Sequence, residues 1–307
     1  MQVTGFKFYV AGSIMIIVLL LLSIGETQIQ TSPQSQPQTQ PPPDTDIYLS
    51  KITLNGTHLE FGKPTNLTKR KGYDNQPVFF PDHELFYTSI RDDQADTYAI
   101  NLPTGAERRV INTPESEYSP TLTPDRKFIS VVRVEPDKTQ RLWKFPINGG
   151  SPTLVLKDVQ PVGYHLWLDE NILLLYILGE PATLQRADIR TGKAEKIADN
   201  IGRSLQKIPD TKAASFVKKN EKDEWWIYRV DLSGKIEPIV KALPTEEHDF
   251  TWMSGGTILM ADGSKLYGYM PGKDSEWKVL TDLKTAGITR LAVSPDSSNL
   301  AFVALEQ

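Results

Sequence analysis

A unit of 41–45 residues recurs through most of this 307-residue sequence. Each copy has a short apolar strand, then a Pro-Asp or similar turn, then a second apolar strand. The six turns lie at Asp82, Asp125, Asp169, Asp210, Gly255 and Asp296, at intervals of 43, 44, 41, 45 and 41 residues. Regular self-similarity of this length is typical of proteins built from stacked repeats.

A second hairpin lies between successive Pro-Asp turns. It consists of an aromatic-rich strand, a glycine turn and a strand of alternating polar and apolar residues. The turn glycines are Gly105, Gly149, Gly192, Gly234 and Gly272. Each period therefore contains four short strands with almost no helical periodicity, which is the pattern of a β-propeller blade.

The two ends of the repeat region are complementary. The sixth copy, "RLAVSPDSSNLAFV", has no second hairpin, whereas the segment starting at Asp46 is a second hairpin without a first and has its own turn glycine, Gly56. Joining the ends gives one more period of 45 residues. The sequence thus predicts an all-β, six-bladed β-propeller over residues 46–307, closed by a blade shared between its N- and C-terminal strands.

The first hairpins resemble the repeat of the TolB-like propellers, which runs approximately Asp-x-x-Pro-x-x-Ser-Pro-Asp-Gly-x-x-Ile-Ala-Phe. The segment "DNQPVFFPDHELFY" matches it at Asp74, Pro77, Pro81 and Asp82, and "LAVSPDSSNLAFV" matches it at 294–296 and 300–302. None of the copies has the glycine after the aspartate. The resemblance covers residues 46–307 and implies a six-bladed propeller. The Tol-system protein itself has an additional α/β domain before its propeller, which argues against that specific role here.

Composition excludes several classes of function. The net charge of −4 and the isoelectric point near 5.7 give no basic surface for nucleic acid, so we expect no nucleic-acid partner. The absence of cysteine excludes disulfides, thiolate metal sites, a cysteine nucleophile and lipidation at cysteine. We expect no cofactor and no metal.

The N-terminus predicts export. Lys7 precedes an uncharged apolar run, residues 8–25. The run is long enough to be a retained signal-anchor helix. Alternatively it is a signal peptide, with the small residues Ser23 and Gly25 forming a cleavage site. Residues 26–45 are rich in Gln, Pro, Ser and Thr and are expected to form a disordered linker. The expected location is extracytoplasmic: membrane-anchored at the periplasmic or cell-surface side, or secreted to the periplasm after cleavage.

Motifs of hydrolytic chemistry are absent from the sequence. It has no Gly-x-Ser-x-Gly elbow and no sialidase Asp-box. The densest group of ligand-type side chains is "EEHDF", residues 246–250, before the first strand of the fifth repeat. Three or four such groups would have to converge to hold a metal. We interpret this segment instead as a solvated loop whose acidic residues cap backbone donors, because the corresponding positions Asp74 and Glu117 are also acidic.

A ligand site is expected where the loops leading into the innermost strands converge on one mouth of the central channel. The residues at those positions are polar, aromatic or basic: Asn75, Tyr118, His165, Arg203, His248 and Arg290.

Three hypotheses for function remain open. The first is a non-enzymatic, extracytoplasmic module that binds a protein or another envelope component and reaches the membrane through its N-terminal segment. The second is a glycan-active hydrolase or lyase that uses carboxylates or a metal at the channel mouth. The third is a purely structural envelope protein. The sequence leaves the oligomeric state open.

Overall fold

The computed structural model describes residues 42–305 except Thr57 and Asp82, and these residues form 25 strands. The first thirteen are β1 (Thr45–Asn55), β2 (His58–Phe61), β3 (Thr65–Asn66), β4 (Asp74–Phe80), β5 (Glu84–Arg91), β6 (Gln94–Asn101), β7 (Glu107–Arg109), β8 (Ser116–Leu122), β9 (Phe128–Val134), β10 (Gln140–Pro146), β11 (Thr153–Leu154), β12 (Val162–Trp167) and β13 (Ile172–Ile177). The remaining twelve are β14 (Thr183–Asp188), β15 (Lys193–Asp199), β16 (Ile201–Lys207), β17 (Ala214–Lys219), β18 (Trp225–Val230), β19 (Ile236–Lys241), β20 (Phe250–Trp252), β21 (Ile258–Asp262), β22 (Lys265–Tyr269), β23 (Lys278–Asp282), β24 (Thr289–Val293) and β25 (Asn299–Leu305).

The strands pair into six antiparallel sheets, one for each predicted blade. Blades 1 to 5 are β4–β7, β8–β11, β12–β15, β16–β19 and β20–β23, and in each of them the strands are ordered as in the sequence. Blade 6 has the order β24-β25-β1-β2, with the short strand β3 also pairing with β1. The predicted six-bladed β-propeller is confirmed.

Blade 6 joins the two ends of the repeat region as predicted. Strand β1 pairs antiparallel with β25 over seven residue pairs, from Thr45↔Leu305 to Lys51↔Asn299. The hairpin β1–β2 then turns at Gly56, whose φ of 64° lies in the left-handed region that glycine adopts without strain. Pairing of the N-terminal strand with the C-terminal strand closes the ring through backbone hydrogen bonds.

The predicted turns also form where the sequence placed them. All five glycines of the second hairpins have φ between 70° and 86°. In the Pro-Asp turn of the sixth repeat, the aspartate accepts hydrogen bonds from its own loop: Asp296 Oδ1 accepts from the Ser294 hydroxyl at 2.6 Å and from the Ser298 amide at 3.0 Å. The next residue, Ser297, has a φ of 56°, so a non-glycine residue here adopts the conformation for which the TolB-like repeat has glycine.

The hydrophobic core is divided among the seams between blades. The buried side chains form six clusters in the described residues, each joining one blade to the next around the ring. Ile47, Tyr87 and Val303, all fully buried, lie in the cluster between blades 6 and 1. Each sheet is therefore apolar on both faces, because it packs against a neighbour on either side.

The innermost strands carry a shared irregularity. Register shifts interrupt the pairing of β4, β8, β12, β16 and β24 with their neighbours. In β4, β8 and β24 the shift coincides with a left-handed residue, namely Gln76, Ser119 and Arg290. A β-bulge of this kind re-aims the side chains at the start of the strand, and it does so here beside the central channel.

The predicted signal or anchor segment, residues 1–25, and most of the predicted linker lie outside the described residues. Among the residues that are described, no helix is long and apolar enough to cross a membrane. Strand β1 starts at Thr45, one residue before the predicted boundary of the propeller.

Candidate functional site at the channel mouth

A cavity of about 260 Å³ occupies the centre of the ring, and all six blades contribute to its wall. The innermost strand of each blade runs alongside this cavity. We call the face of the ring at which these innermost strands begin the top face. The cavity is smaller than the ~300–1,000 Å³ of most ligand pockets. It therefore suits a small molecule or a terminal group better than a long polymer.

The structure brings three of the six predicted site residues together in this cavity: His165, Arg203 and Arg290. Asn75, Tyr118 and His248 are not part of the wall. Their following neighbours line it instead: Gln76, Ser119 and Asp249. In blades 1 and 2 the bulge accounts for this one-residue offset, because the left-handed residue turns toward the channel while the residue before it stays in the sheet.

Asp249 links two arginines from different blades. Arg203 Nη2 lies 2.7 Å from Asp249 Oδ2, and the Arg290 amide donates to the same oxygen at 3.1 Å. Burial alone raises the pKa of Asp249, but the charges of Arg290 and Arg203 outweigh it and hold the pKa below its usual value. Asp249 is therefore an ionised, buried carboxylate and differs from the solvated loop cap that the sequence suggested.

The two arginines differ in how their guanidinium nitrogens are paired. Every nitrogen of the Arg203 guanidinium has a carboxylate partner: Nε and Nη2 face Asp249 at 3.3 and 2.7 Å, and Nη1 lies 2.8 Å from Glu247. The guanidinium of Arg290 is 3.8 Å from Asp249, too long for a hydrogen bond. The Arg290 side chain hydrogen-bonds Tyr164, and its Nε has no partner among the described residues.

Tyrosines surround Arg290. Its guanidinium carbon lies 4.6 Å from the ring centre of Tyr164, which also lines the cavity. Burial raises the pKa of Tyr73, whose phenol interacts electrostatically with Arg290, and burial likewise raises the pKa of Tyr176. The phenols of Tyr73 and Tyr176 stay neutral at physiological pH, so they do not neutralise the arginine.

His165 lines the cavity, and its imidazole contacts a serine of the neighbouring blade. Its Nε2 lies 2.8 Å from the Ser130 hydroxyl, which also accepts from Trp167 Nε1 at 2.9 Å, and Nδ1 has no partner among the described residues. Burial lowers the pKa of His165 to about 3, so the imidazole is neutral. Ser215 in blade 4 accepts in the same way from Trp252 of blade 5, at 2.8 Å. The serine–tryptophan bond is therefore a seam contact between blades.

The acidic residues that start blades 1 and 2 are buried too. Asp74 accepts from the Ser89 hydroxyl at 2.6 Å and pairs with Arg70 at 2.9 Å. Glu117 accepts from the Thr113 hydroxyl, and burial raises its pKa to about 7. These carboxylates lie at the seams and do not line the cavity, so they belong to the scaffold.

A second cavity of about 270 Å³ opens between blades 5 and 6. Glu246, Glu247, Asp249 and Asp262 are part of its wall, so Asp249 separates it from the channel. In the described parts of the chain, no three His, Asp or Glu side chains are grouped so as to hold a metal ion.

Comparison with known proteins identifies the fold. No protein-family profile and no curated protein matches the sequence. A protein assigned as TolB from Agrobacterium tumefaciens superposes with a TM-score of 0.65 at 16% identity, over 87% of this chain and 99% of that one. The chain has a TolB-like six-bladed propeller fold.

Two further structures show how widely this propeller is used. TolB from Acinetobacter baumannii matches with a TM-score of 0.55 at 12% identity, over 86% of this chain and 64% of that one. An oligogalacturonate lyase in complex with manganese matches with a TM-score of 0.57 at 14% identity, over 80% of each chain. At these identities the TolB-like propeller is shared as a fold, and function has to be argued from the site.

Proposed function

We propose that this TolB-like propeller is a non-enzymatic binding module whose partner docks on the top face, over the channel mouth. The observation that carries the proposal is the channel wall itself. It contains polar groups from different blades whose hydrogen bonding is incomplete: Ser119 Oγ, His165 Nδ1 and Arg290 Nε have no partner among the described residues. Buried polar atoms are nearly always paired, so unpaired ones beside a cavity support a ligand there.

Catalysis by paired carboxylates is the second candidate, and the site disfavours it. Glycoside-cleaving enzymes need one carboxyl group as an acid and another as a base or nucleophile. Asp249 is the one carboxylate among the described residues of the channel wall. Its neighbour Glu247 contacts the same guanidinium, Arg203. The charges of Arg290 and Arg203 hold the pKa of Asp249 below its usual value, so Asp249 is not suited to donate a proton.

We place the module on the extracytoplasmic side of a membrane. The apolar run at residues 8–25 and the Pro- and Gln-rich stretch at 26–45 support export followed by a linker. The proposed partner is a protein or another component of the cell envelope, and membrane attachment would come from the retained apolar run.

Site-specific photo-crosslinking tests the proposal in cells that produce the full-length chain. A photoreactive residue replaces Glu246, which is exposed in the wall of the second cavity on the loop that enters blade 5, or Lys193, which is exposed on the outer strand of blade 3. We expect a discrete adduct from position 246 and none from position 193, with the captured component identified by mass spectrometry. Equal labelling at both positions, or no adduct at 246, would contradict docking at the top face.

The enzymatic alternative has its own assay. Purified full-length chain is incubated with acidic and neutral oligosaccharides, with and without added Mn²⁺, and products are followed by reducing-end release and by the ultraviolet absorbance of unsaturated sugars. Turnover by the wild-type chain that is lost in Asp249→Asn, with the variant shown to be folded by circular dichroism under the assay conditions, would favour the hydrolase or lyase over the binding module.

A further inference from the structure

The charged groups at the channel wall are balanced in number. Of the described residues that line the cavity, Arg203 and Arg290 are cationic and Asp249 is anionic, while His165 is neutral because burial lowers its pKa to about 3. Glu247, which pairs with Arg203, supplies a second negative charge.

Arg290 is the less fully paired of the two arginines. Arg203 contacts both Asp249 and Glu247, and Asp249 Oδ2 accepts from Arg203 and from the Arg290 backbone amide. The Arg290 guanidinium remains 3.8 Å from Asp249, and its side chain is 13% exposed in a residue that lines the channel. A guanidinium has five N–H donors in a planar fork, and this fork matches the two oxygens of a carboxylate.

Two residues near Arg290 also suit a carboxylate ligand. The ring of Tyr164 lies 4.6 Å from the Arg290 guanidinium carbon and restricts where the side chain can move. Ser119, from blade 2, lines the same cavity and has a hydroxyl with no partner among the described residues. A hydroxyl of this kind can donate to an anionic oxygen.

We infer that the channel is a binding site for a carboxylate group, held by Arg290 with Ser119 and Tyr164 as neighbours. Because the two arginines and the two carboxylates balance, a monoanionic carboxylate adds less uncompensated charge than a dianion. The cavity of about 260 Å³ admits a small organic acid or the terminal carboxylate of a peptide. This inference rests on the proposed function as a binding module, and it specifies which chemical group enters the channel.

The test compares carboxylates with their uncharged amides. Isothermal titration calorimetry and thermal shift measurements on the purified full-length chain use acetate, benzoate and D-glucuronate, each against its amide. A second set uses a pentapeptide with either a free or an amidated C-terminus. We expect binding by at least one acid and at least tenfold weaker binding by its amide. The small acids test whether the carboxylate comes from a small molecule, and the free peptide tests whether it comes from a peptide C-terminus.

Variants then assign the binding to the residues. Arg290→Gln should weaken carboxylate binding by about tenfold or more, because it removes a charge-assisted hydrogen bond. Arg190→Gln is the matched control, since Arg190 is exposed with 64% of its side chain accessible. Ser119→Ala removes a hydroxyl that no described residue needs, so the variant should fold normally and bind about two- to tenfold more weakly.

Three outcomes would overturn the inference: acids and amides that bind equally, inorganic phosphate that binds more tightly than every acid, or carboxylate binding that is unchanged in both Arg290→Gln and folded Ser119→Ala. Photo-crosslinking at position 246 separates this result from the proposed function. If the adduct persists in full in Arg290→Gln and no acid binds, the module still docks a partner but does not recognise it through a carboxylate.

Discussion

Because the ring is closed through blade 6, we expect the whole propeller to unfold cooperatively when strand β1 is weakened. Ile47, on β1, is fully buried between blades 6 and 1 beside Tyr87 and Val303. Replacing it with alanine removes three carbons from a packed seam. If strand β1 holds the whole ring closed, Ile47→Ala should destabilise blades that it does not touch.

The size of the effect follows from burial. Truncation of a fully buried isoleucine to alanine costs about 2–5 kcal/mol. With a urea m-value of about 3 kcal/mol/M for a domain of this size, a loss of about 3 kcal/mol lowers the unfolding midpoint by about 1 M. Leu54, on the same strand, is 64% exposed, so Leu54→Ala should change stability by less than about 0.5 kcal/mol and the midpoint by less than about 0.2 M.

Tryptophan fluorescence provides a reporter that is remote from the mutation. The six tryptophans lie in blades 2 to 5 and none lies in blade 1 or blade 6; they are Trp143, Trp167, Trp225, Trp226, Trp252 and Trp277. Their emission during urea unfolding therefore follows blades that neither variant alters. Far-ultraviolet circular dichroism follows all strands in the same titration.

Closure of the ring through β1 requires both probes to shift together in Ile47→Ala. A tryptophan transition that stays at the wild-type midpoint, with a separate early transition in circular dichroism, would refute it. Blade 6 would then open on its own while blades 2 to 5 remain folded, and the pairing of β1 with β25 would not be what keeps the ring intact.

Three other substitutions, one of them with a matched control, test individual features. Asp249→Asn leaves the buried charge of Arg290 poorly compensated and should cost about 3–5 kcal/mol at pH 7 in urea unfolding. Because the folded pKa of Asp249 is depressed, its contribution is lost as pH falls, so the deficit should shrink below about pH 4. Glu117→Gln tests a carboxyl group whose pKa is raised. Burial raises the pKa of Glu117 from 4.5 to about 7, so wild-type stability should fall by up to about 3 kcal/mol as the pH rises from about 4.5 to about 7, and the variant should lack this slope. Gly192→Ala, at φ +70° with no atom near the added methyl, should cost about 1 kcal/mol, whereas Gly255→Ala, which lacks a left-handed φ, should be neutral or stabilising in calorimetry.

Much of the architecture could be predicted because its determinants are local and repeated. The Pro-Asp turn, the glycine turn and the alternating strands are each encoded within a few residues, and their recurrence revealed six copies. The turn at Gly192 shows this directly: the predicted reversal lies at a residue with φ +70°. Even the shared blade could be predicted. One end of the repeat region supplies only a first hairpin and the other only a second hairpin, and the two together make one complete four-stranded sheet.

The channel wall was predictable only to within one residue. Asn75 and Tyr118 were expected at the mouth, but Gln76 and Ser119 line it, because a bulge with a left-handed residue alters the alternation of side chains at the start of the strand. No local pattern distinguished the bulge from a regular strand. Asp249 was missed for a related reason: it was grouped with its acidic neighbours in the chain, while its partners are in other blades.

The sequence by itself determined the number of blades, the position of each turn and the closure of the ring, because those depend on local preferences repeated six times. Tertiary structure alone decided which charges meet. Arg203, Asp249 and Arg290 lie about one repeat apart in the chain and come together because the ring brings every innermost strand to the same channel. Arg203 has a carboxylate partner for each guanidinium nitrogen, whereas Arg290 Nε has none among the described residues. That difference depends on distances of a few Å between blades, which no repeat pattern specifies.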